Sequence, residues 1–461
     1  METGNPESGG VSPAGGGSSG GREQWATRLG FILAAVGSAV GLGNMWRFPY
    51  LTAENGGAAF LLLYIAFTLF IGLPVMLAEF SLGRGSKKSP IEALRHFGGD
   101  SWTPLGVLFV LTGFLILAYY GVIAGWTLRY AAGGLLEGFP ADAAARFGEV
   151  SGGWDAVAWH LAFMGVTIAI VAAGVRSGIE RTALFLMPVL LLIVVGLGLW
   201  AATLEGAGEG YAFYLQTDFG EIFSWRVLSD AASQAFFSLS LGMGAMLTFS
   251  SYLSRDDDLP QESLVIAGSD FLIAFLAGLM VFPVVFALGL SGEVGESAVG
   301  ALFISLPEAF RSMGGATGRV VGVLFFSALL VGALTSALSL LEVVTSSVID
   351  SLGWARRRAA VLFGAIIAAA GVPAAFSTQV LGLMDQLAGN VFLLVGGVFL
   401  AVFVGWVMPD PEAEVRKGAP EVGWLPLWKS FLRWVVPVVL LFALGVSVTD
   451  TWQMVAGLIG G

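Results

Sequence analysis

The chain carries about eleven stretches apolar and long enough to cross a bilayer, near 27–53, 57–83, 104–133, 157–174, 182–203, 231–254, 262–290, 319–351, 357–374, 381–408 and 431–459. A hydrocarbon core of about 30 Å takes ~20 apolar residues per helix. In that medium each backbone amide must find its partner inside the protein, which leaves helices or a closed barrel. Only 12% of residues are charged and the mean hydropathy is +0.83, where a soluble domain has about 25% charged. These features predict an all-α polytopic membrane protein of about eleven transmembrane helices.

Cysteine is absent, and histidine occurs only as His96 and His160. Disulfides, iron–sulfur clusters and ordinary zinc sites are thereby excluded, leaving carboxylates, hydroxyls, amides and backbone for any chemistry. The net charge of −11 speaks against a nucleic-acid partner. Residues 1–21 are rich in Gly, Ser and Pro without an apolar core, so they read as a disordered tail and not a signal peptide. With that tail in the cytoplasm, about 16 Lys and Arg fall inside and about 6 outside, in keeping with the positive-inside rule. The chain is therefore expected to sit in the cell's inner (plasma) membrane as a multi-pass protein with a cytoplasmic N-terminus.

Two of the apolar stretches are interrupted. The first contains Gly37-Ser38-Ala39-Val40-Gly41-Leu42-Gly43-Asn44 and the sixth Ser238-Leu239-Ser240-Leu241-Gly242-Met243-Gly244. Glycine weakens a helix by about 1 kcal/mol relative to Ala, and backbone freed at membrane depth persists only where it is buried or lines a cavity. Matching breaks five helices apart point to inverted repeats with a binding site between them; close helix packing through small residues is the alternative.

At these residues the chain resembles the neurotransmitter:sodium symporter family, in particular its bacterial amino-acid transporters of the leucine-transporter type. The resemblance runs from about residue 22 to 459. Its anchors are Trp25 to Gly30, Val40 to Asn44, Arg47-Phe48-Pro49-Tyr50, Glu54 to Gly57, Glu79 with Gly83-Arg84, Gln234 to Ser240, and Leu334-Thr335-Ser336. It implies a first repeat over 22–205 (helices 1–5), a second over 206–410 (helices 6–10), and a cytoplasmic loop with an eleventh helix over 411–461. A twelfth helix known in the family is missing.

The resemblance implies that the Leu42 and Gly43 amides, helped by the Tyr120 hydroxyl, receive a substrate carboxylate. The substrate ammonium would face the carbonyls of Ala39, Phe237 and Ser238 and the Ser240 hydroxyl. Gly41 stands where monoamine carriers have an aspartate, so an α-amino acid is implied. Its side chain would lie among Ile116, Tyr120, Phe237, Met243, Ser336 and Leu340, an apolar set suited to an aliphatic or aromatic L-amino acid. The flexible Met243 thioether adapts to either shape.

Two sodium sites are likewise implied. Site one would use Ala39, Asn44, Ser238, Asp270 and the substrate carboxylate. Site two would use the Gly37, Val40 and Gly332 carbonyls with the Thr335 and Ser336 hydroxyls. A carboxylate shared between substrate and ion would couple the two. Asp270 departs from the family pattern, which commonly has Asn there; Ala274 replaces the Ser of chloride-dependent members, although Tyr64, Gln234 and Ser238 remain. A membrane-embedded carboxylate is a functional candidate by default, and Asp270 reads as a built-in anion in place of chloride, able to exchange protons.

Arg47 with Asp385 matches an external gate and Arg22 with Asp350 an internal one. Gly178 and Pro188 have the spacing of an element that unwinds to admit water to site two, and Ser305 to Phe310 resembles a lid over the outer vestibule. The implied activity is sodium-coupled amino-acid import by alternating access. Rival readings are a proton-coupled carrier using Asp270 or Glu79, and a non-transporting sensor on the same fold. An enzyme is not expected, since no nucleophile–base set or nucleotide loop appears. Substrate and lipid bilayer are the expected partners; the oligomeric state stays open.

Overall fold

The computed structural model describes residues 23–216, 224–289 and 300–460. Helix α1 (Arg28–Ala39) and α2 (Gly43–Glu54) form one interrupted span, bent by 46°. They are followed by α3 (Ala58–Ser86), the short α4 (Pro90–Gly98) and α5 (Asp100–Leu136). The chain continues through α6 (Ala143–Val150), α7 (Gly153–Ala172), α8 (Val175–Ala201) and α9 (Ala207–Leu215).

A second interrupted pair, α10 (Trp225–Ser238) and α11 (Ala245–Ser250), precedes α12 (Leu259–Ala287) and α13 (Leu306–Ser312). The last helices are α14 (Gly315–Leu352), α15 (Arg356–Phe376), α16 (Thr378–Val407), α17 (Pro411–Arg416) and α18 (Leu425–Gly460). Among the described residues, nine unbroken helices are long and apolar enough to span, and the bent pair α1–α2 makes a tenth. The pair α10–α11 supplies the eleventh apolar segment of the sequence reading.

Local signals set the helix ends. Thr27 caps α1 by accepting from the Gly30 amide at 2.9 Å, and Asp258 caps α12 from the Gln261 amide at 3.0 Å. Helix α14, closed by Gly353 in the left-handed region (φ 67°), is the central post. It packs along α5 most extensively and also meets α1, α7, α8 and α15. Arg84 of α3 pairs with Glu414 of α17 at 2.9 Å and ties α17 to α3.

Both breaks are buried, so their backbone must be answered from within. Between α10 and α11, Gly242 and Gly244 take φ of 75° and 74°, and Ser240 takes 53°, a region L-residues visit at a cost of about 1–2 kcal/mol. A Cβ on Gly242 would collide with the Leu393 carbonyl of α16. From α3, the fully buried Glu79 accepts from the Gly242 amide at 2.8 Å and the Leu247 amide at 3.0 Å. Its oxygens face the N-terminal end of α11, where the first amides of that helix have no partner within it. Replacing Glu79→Leu leaves two buried amides unpaired, which costs about 1–3 kcal/mol each; thermal unfolding followed by tryptophan fluorescence in detergent should show a clearly lower Tm.

Candidate functional site

The two breaks meet at the middle of the bundle. After α1, Val40 is extended (φ −79°, ψ 102°) and the chain re-enters a helix at Gly43 through a π-type turn over Gly43–Arg47. Asn44 bridges the gap by accepting from the Gly41 amide at 3.1 Å. The Leu42 amide donates to the Tyr120 hydroxyl oxygen at 3.2 Å. Gln234 of α10 donates to the Gly43 carbonyl at 2.9 Å, and the Ser240 hydroxyl to the Ser38 carbonyl at 2.8 Å, so each break holds the other.

The implied substrate residues fall around this junction. Tyr120 and Ser336 touch Gly41, and the Phe237 ring lies against Gly43. Ile116, Met243 and Leu340 are buried in the same continuous core. The Ser240 hydroxyl, expected to face a ligand ammonium, is occupied by the Ser38 carbonyl. Space at Gly41 is tight: a Cβ would collide with the Ser336 hydroxyl and come within 2.8 Å of the Tyr120 oxygen.

Asp270 of α12 is fully buried. It receives the Asn44 side-chain amide at 2.7 Å, the Tyr64 hydroxyl at 2.9 Å and the Ser238 hydroxyl at 2.9 Å. All three donors are neutral, and among the described residues no Lys, Arg or His pairs with Asp270. Asn44 and Ser238, expected at site one, thus both bond to Asp270, and Ala39, the fourth residue expected there, is the buried last residue of α1. Gln234, the remaining residue of the expected anion-site pattern, donates its amide to the Gly43 carbonyl.

The residues expected at site two lie together where the C-terminal end of α1 meets α14. The Ser336 hydroxyl donates to the Gly37 carbonyl at 3.3 Å and the Ser38 carbonyl at 3.1 Å. Thr335 bonds back to Val331 and Gly332, both at 3.1 Å. A Cβ on Gly37 would stand 3.0 Å from Thr335, and one on Gly332 would stand 3.6 Å from the Val40 carbonyl. Five oxygen-bearing residues therefore surround one small volume, a donor set that suits a hard monovalent cation; clusters of three or more His, Cys, Asp or Glu are absent among the described residues.

Outside the junction, a cavity of about 320 Å³ is lined by Arg47, Tyr120, Phe237, Asp385, Asn390 and Asp450, among others. The expected Arg47–Asp385 contact is not made across it. Arg47 donates to the Asn390 side-chain oxygen at 2.6 Å and lies 4.8 Å over the Phe237 ring, while Asp385 accepts from the Tyr119 hydroxyl at 2.7 Å. With the vestibule open between them, each charge takes the polar neighbour on its own wall. Neither Asn390 nor Tyr119 was singled out by sequence, although a polar Asn within the apolar tenth stretch was a signal.

On the inner side, Trp25 donates to the Phe249 carbonyl at 3.0 Å and packs edge-on against Phe249 and Tyr252. Arg22 lies outside the described residues; Asp350 accepts the Ser89 amide at 2.6 Å. A buried pair that the sequence reading missed lies nearby. Glu342 binds both Arg356 nitrogens at 2.7 and 2.9 Å and the Tyr252 hydroxyl at 2.5 Å. Gly178 sits in a π-type turn, Val175–Glu180, that opens α8, and Pro188 is inside the helix. The lid segment forms α13, whose Phe310 packs on Phe139 and Phe325.

Comparison with known proteins places this geometry. The profile of the sodium:neurotransmitter symporter family matches residues 22–147 and 148–455. The chain is similar to the uncharacterized sodium-dependent transporter YhdH of Bacillus subtilis (strain 168), at 34% identity over 438 residues, 91% of this chain and 96% of that one. It is 33% identical to the uncharacterized sodium-dependent transporter MJ1319 of Methanocaldococcus jannaschii over 442 residues, 92% of this chain and 89% of the other. Among solved structures, that of MhsT in complex with L-phenylalanine superposes with a TM-score of 0.85 at 42% identity, covering 93% of this chain and all of MhsT.

The crowding at Gly41 gives a direct check of the junction. Gly41→Ala should lose about 1–3 kcal/mol by overpacking, read as a lower Tm. Adding Ser336→Ala removes the colliding oxygen and should restore part of that loss, a coupling that two independent sites would not show.

Proposed function

The chain belongs to the sodium:neurotransmitter symporter family, a family of transporters and not of enzymes, and from that premise we propose that it imports a hydrophobic L-amino acid together with two sodium ions by alternating access. The observation that carries this reading is the meeting of two broken helices, with Asp270, Asn44 and Ser238 on one side and Thr335 and Ser336 against the α1 carbonyls on the other. The Leu42 and Gly43 amides at the start of α2 suit a carboxylate, and Tyr120, which accepts from the Leu42 amide, moves to the ligand. Phe237, Met243, Ile116 and Leu340 then provide an apolar wall for the side chain. That MhsT was solved with L-phenylalanine supports the class of substrate.

In this reading residues 22–205 and 206–410 are the inverted repeats, 411–461 follows as loop and last helix, and the protein lies in the plasma membrane with its N-terminus inside. Arg47 and Asp385 close the outer vestibule by approaching each other when substrate is bound, exchanging Asn390 and Tyr119 for one another; Arg22 and Asp350 serve the inner side. Equilibrium binding of an amino-acid panel to the purified protein, with and without sodium, tests the proposal: sodium-dependent binding of aliphatic or aromatic amino acids is expected, and sodium-indifferent binding would refute it. Thr335→Ala combined with Ser336→Ala removes two of five cation ligands. Sodium-stimulated binding should then fall by more than about tenfold, the equivalent of 1.4 kcal/mol, in a protein that still folds.

Asp270 sets the anion requirement. A zwitterionic substrate adds no net charge, so two sodium ions bring two positive charges and the Asp270 carboxylate offsets one, in the role chloride plays elsewhere in the family. When the cargo leaves, a proton takes the cation's place, because a bare carboxylate is poorly tolerated at membrane depth. Uptake into proteoliposomes should be unchanged when gluconate replaces chloride, and should respond to internal pH. Asp270→Asn should be slow and insensitive to internal pH. Strong chloride dependence of the unaltered protein would overturn the assignment.

A further inference from the structure

Gln386 has no role in the transport reading so far, yet it decides how Arg47 is held. It opens a π-type turn, Gln386–Phe392, within α16, and the turn also contains Asn390. In an α-helix residues three or four apart are neighbours, whereas the i→i+5 ladder of a π-type turn brings residues five apart onto one face. Asp385 and Asn390 are five apart, so two acceptors for Arg47 line the same cavity. Gly389 keeps the space between them open: a Cβ there would stand 2.9 Å from the Asp385 carboxylate and 3.3 Å from the Tyr119 hydroxyl.

A side-chain amide presents either its oxygen or its nitrogen to a neighbour, and what lies beyond it decides which. The Thr451 hydroxyl of α18 donates to the Ser447 carbonyl at 2.7 Å, which leaves its oxygen to accept. Gln386 therefore turns its nitrogen to α18, donating to Thr451 at 3.2 Å and to the Ser447 carbonyl at 3.4 Å. Its oxygen is left for Asn390, whose nitrogen donates to it at 2.8 Å. The Asn390 oxygen then accepts from Arg47 at 2.6 Å and from the Ser233 hydroxyl at 2.7 Å. Arginine only donates, so the gate end of the chain demands the same polarity that α18 imposes at the other. Turning either amide round would set oxygen against oxygen on one side and nitrogen against nitrogen on the other.

Helix α18 also reaches the cavity directly, through Ser447, Asp450 and Met454. With Thr451 these fall at i, i+3, i+4 and i+7, one stripe of the helix. The last helix thus forms part of the vestibule and, through Gln386, fixes the group that Arg47 meets. Arg47 itself is not used up by this contact: its Nη2 makes the bond to Asn390, while its Nη1 is buried without a partner among the described residues.

We propose that Gln386 and Asn390 are positioning residues that form an amide relay from α18 to Arg47, offering it a neutral acceptor in competition with Asp385, so that the seating of α18 on α16 sets how readily the outer vestibule closes. This rests on the reading of Arg47 and Asp385 as the outer gate. The Arg47–Asn390 bond belongs to the open form alone, and only a difference between two forms moves the balance between them. Drawing Ser447 and Thr451 away from Gln386 frees both amides to turn, and Arg47 is released toward Asp385.

Because the chain has no cysteine, Tyr50→Cys in the vestibule provides a single reporter, labelled by a charged maleimide on the purified protein in saturating sodium. Asn390→Ala should shift the balance toward the closed form by about tenfold, the effect of losing one bond to a charged group, read as slower labelling. Gln386→Leu should slow labelling as well, although Gln386 does not touch Arg47, and Thr451→Val provides the same test if Gln386→Leu folds poorly. Asn390→Asp presents an oxygen whichever way it turns, so in that background Gln386→Leu should leave labelling unchanged, which a merely structural role would not do. Labelling as fast as in the unaltered protein for both Gln386→Leu and Thr451→Val, or an undiminished effect of Gln386→Leu in the Asn390→Asp background, would overturn the relay alone. If Asn390→Ala slows labelling equally when Asp385→Ala is added, Arg47 does not pass to Asp385, and the gate reading falls as well.

Discussion

The structure depends on how backbone amides and carbonyls are satisfied where two spans stop being helical. In hydrocarbon an unpaired amide has no water to turn to, so every donor freed at Val40–Leu42 and at 239–244 has to be met by the protein. Asn44 meets the Gly41 amide locally and Tyr120 of α5 meets the Leu42 amide, while the Ser240 hydroxyl answers the Ser38 carbonyl. Glu79 meets two more from a different helix. These contacts fix the relative placement of α1, α3, α5 and α10, and the ligand-facing groups are what the pairing leaves over.

The buried carboxylates divide their work accordingly. Glu79 and Glu180 each accept from backbone amides near a helix start. Glu342 is held by Arg356 and Tyr252, an ordinary buried ion pair. Asp270 alone is surrounded by neutral side-chain donors in the middle of the bundle. A carboxylate so placed has no charged partner among the described residues, which sets it apart from the structural braces and is why the proposed cation site is built on it.

Much of the architecture was legible in the sequence because hydrophobic length and glycine clusters are local signals. The stretch 262–290 corresponds to Leu259–Ala287 and 381–408 to Thr378–Val407; the breaks lie at the quoted glycines. What escaped were partnerships over long separations. Nothing local to Glu180 announces Ala26, nor does Glu79 announce Gly242. Arg47 and Asp385 were correctly placed on one vestibule but their contacts were not foreseen, since residues such as Asn390 and Tyr119 become neighbours only through packing. Gln234 was noted for its motif, but its bond to the Gly43 carbonyl, 191 residues away in sequence, was not foreseen.

The uncompensated charge at Asp270 has an electrical consequence. On the proposed stoichiometry of two sodium ions and a zwitterion, the loaded site would carry one net positive charge; returning with a proton in their place, it would carry none. An inside-negative membrane potential therefore acts on the loaded passage and leaves the empty return untouched. One elementary charge falling through 100 mV yields about 2.3 kcal/mol, which at ~1.4 kcal/mol per tenfold corresponds to roughly fifty-fold accumulation of the cargo from voltage alone, before any chemical gradient contributes.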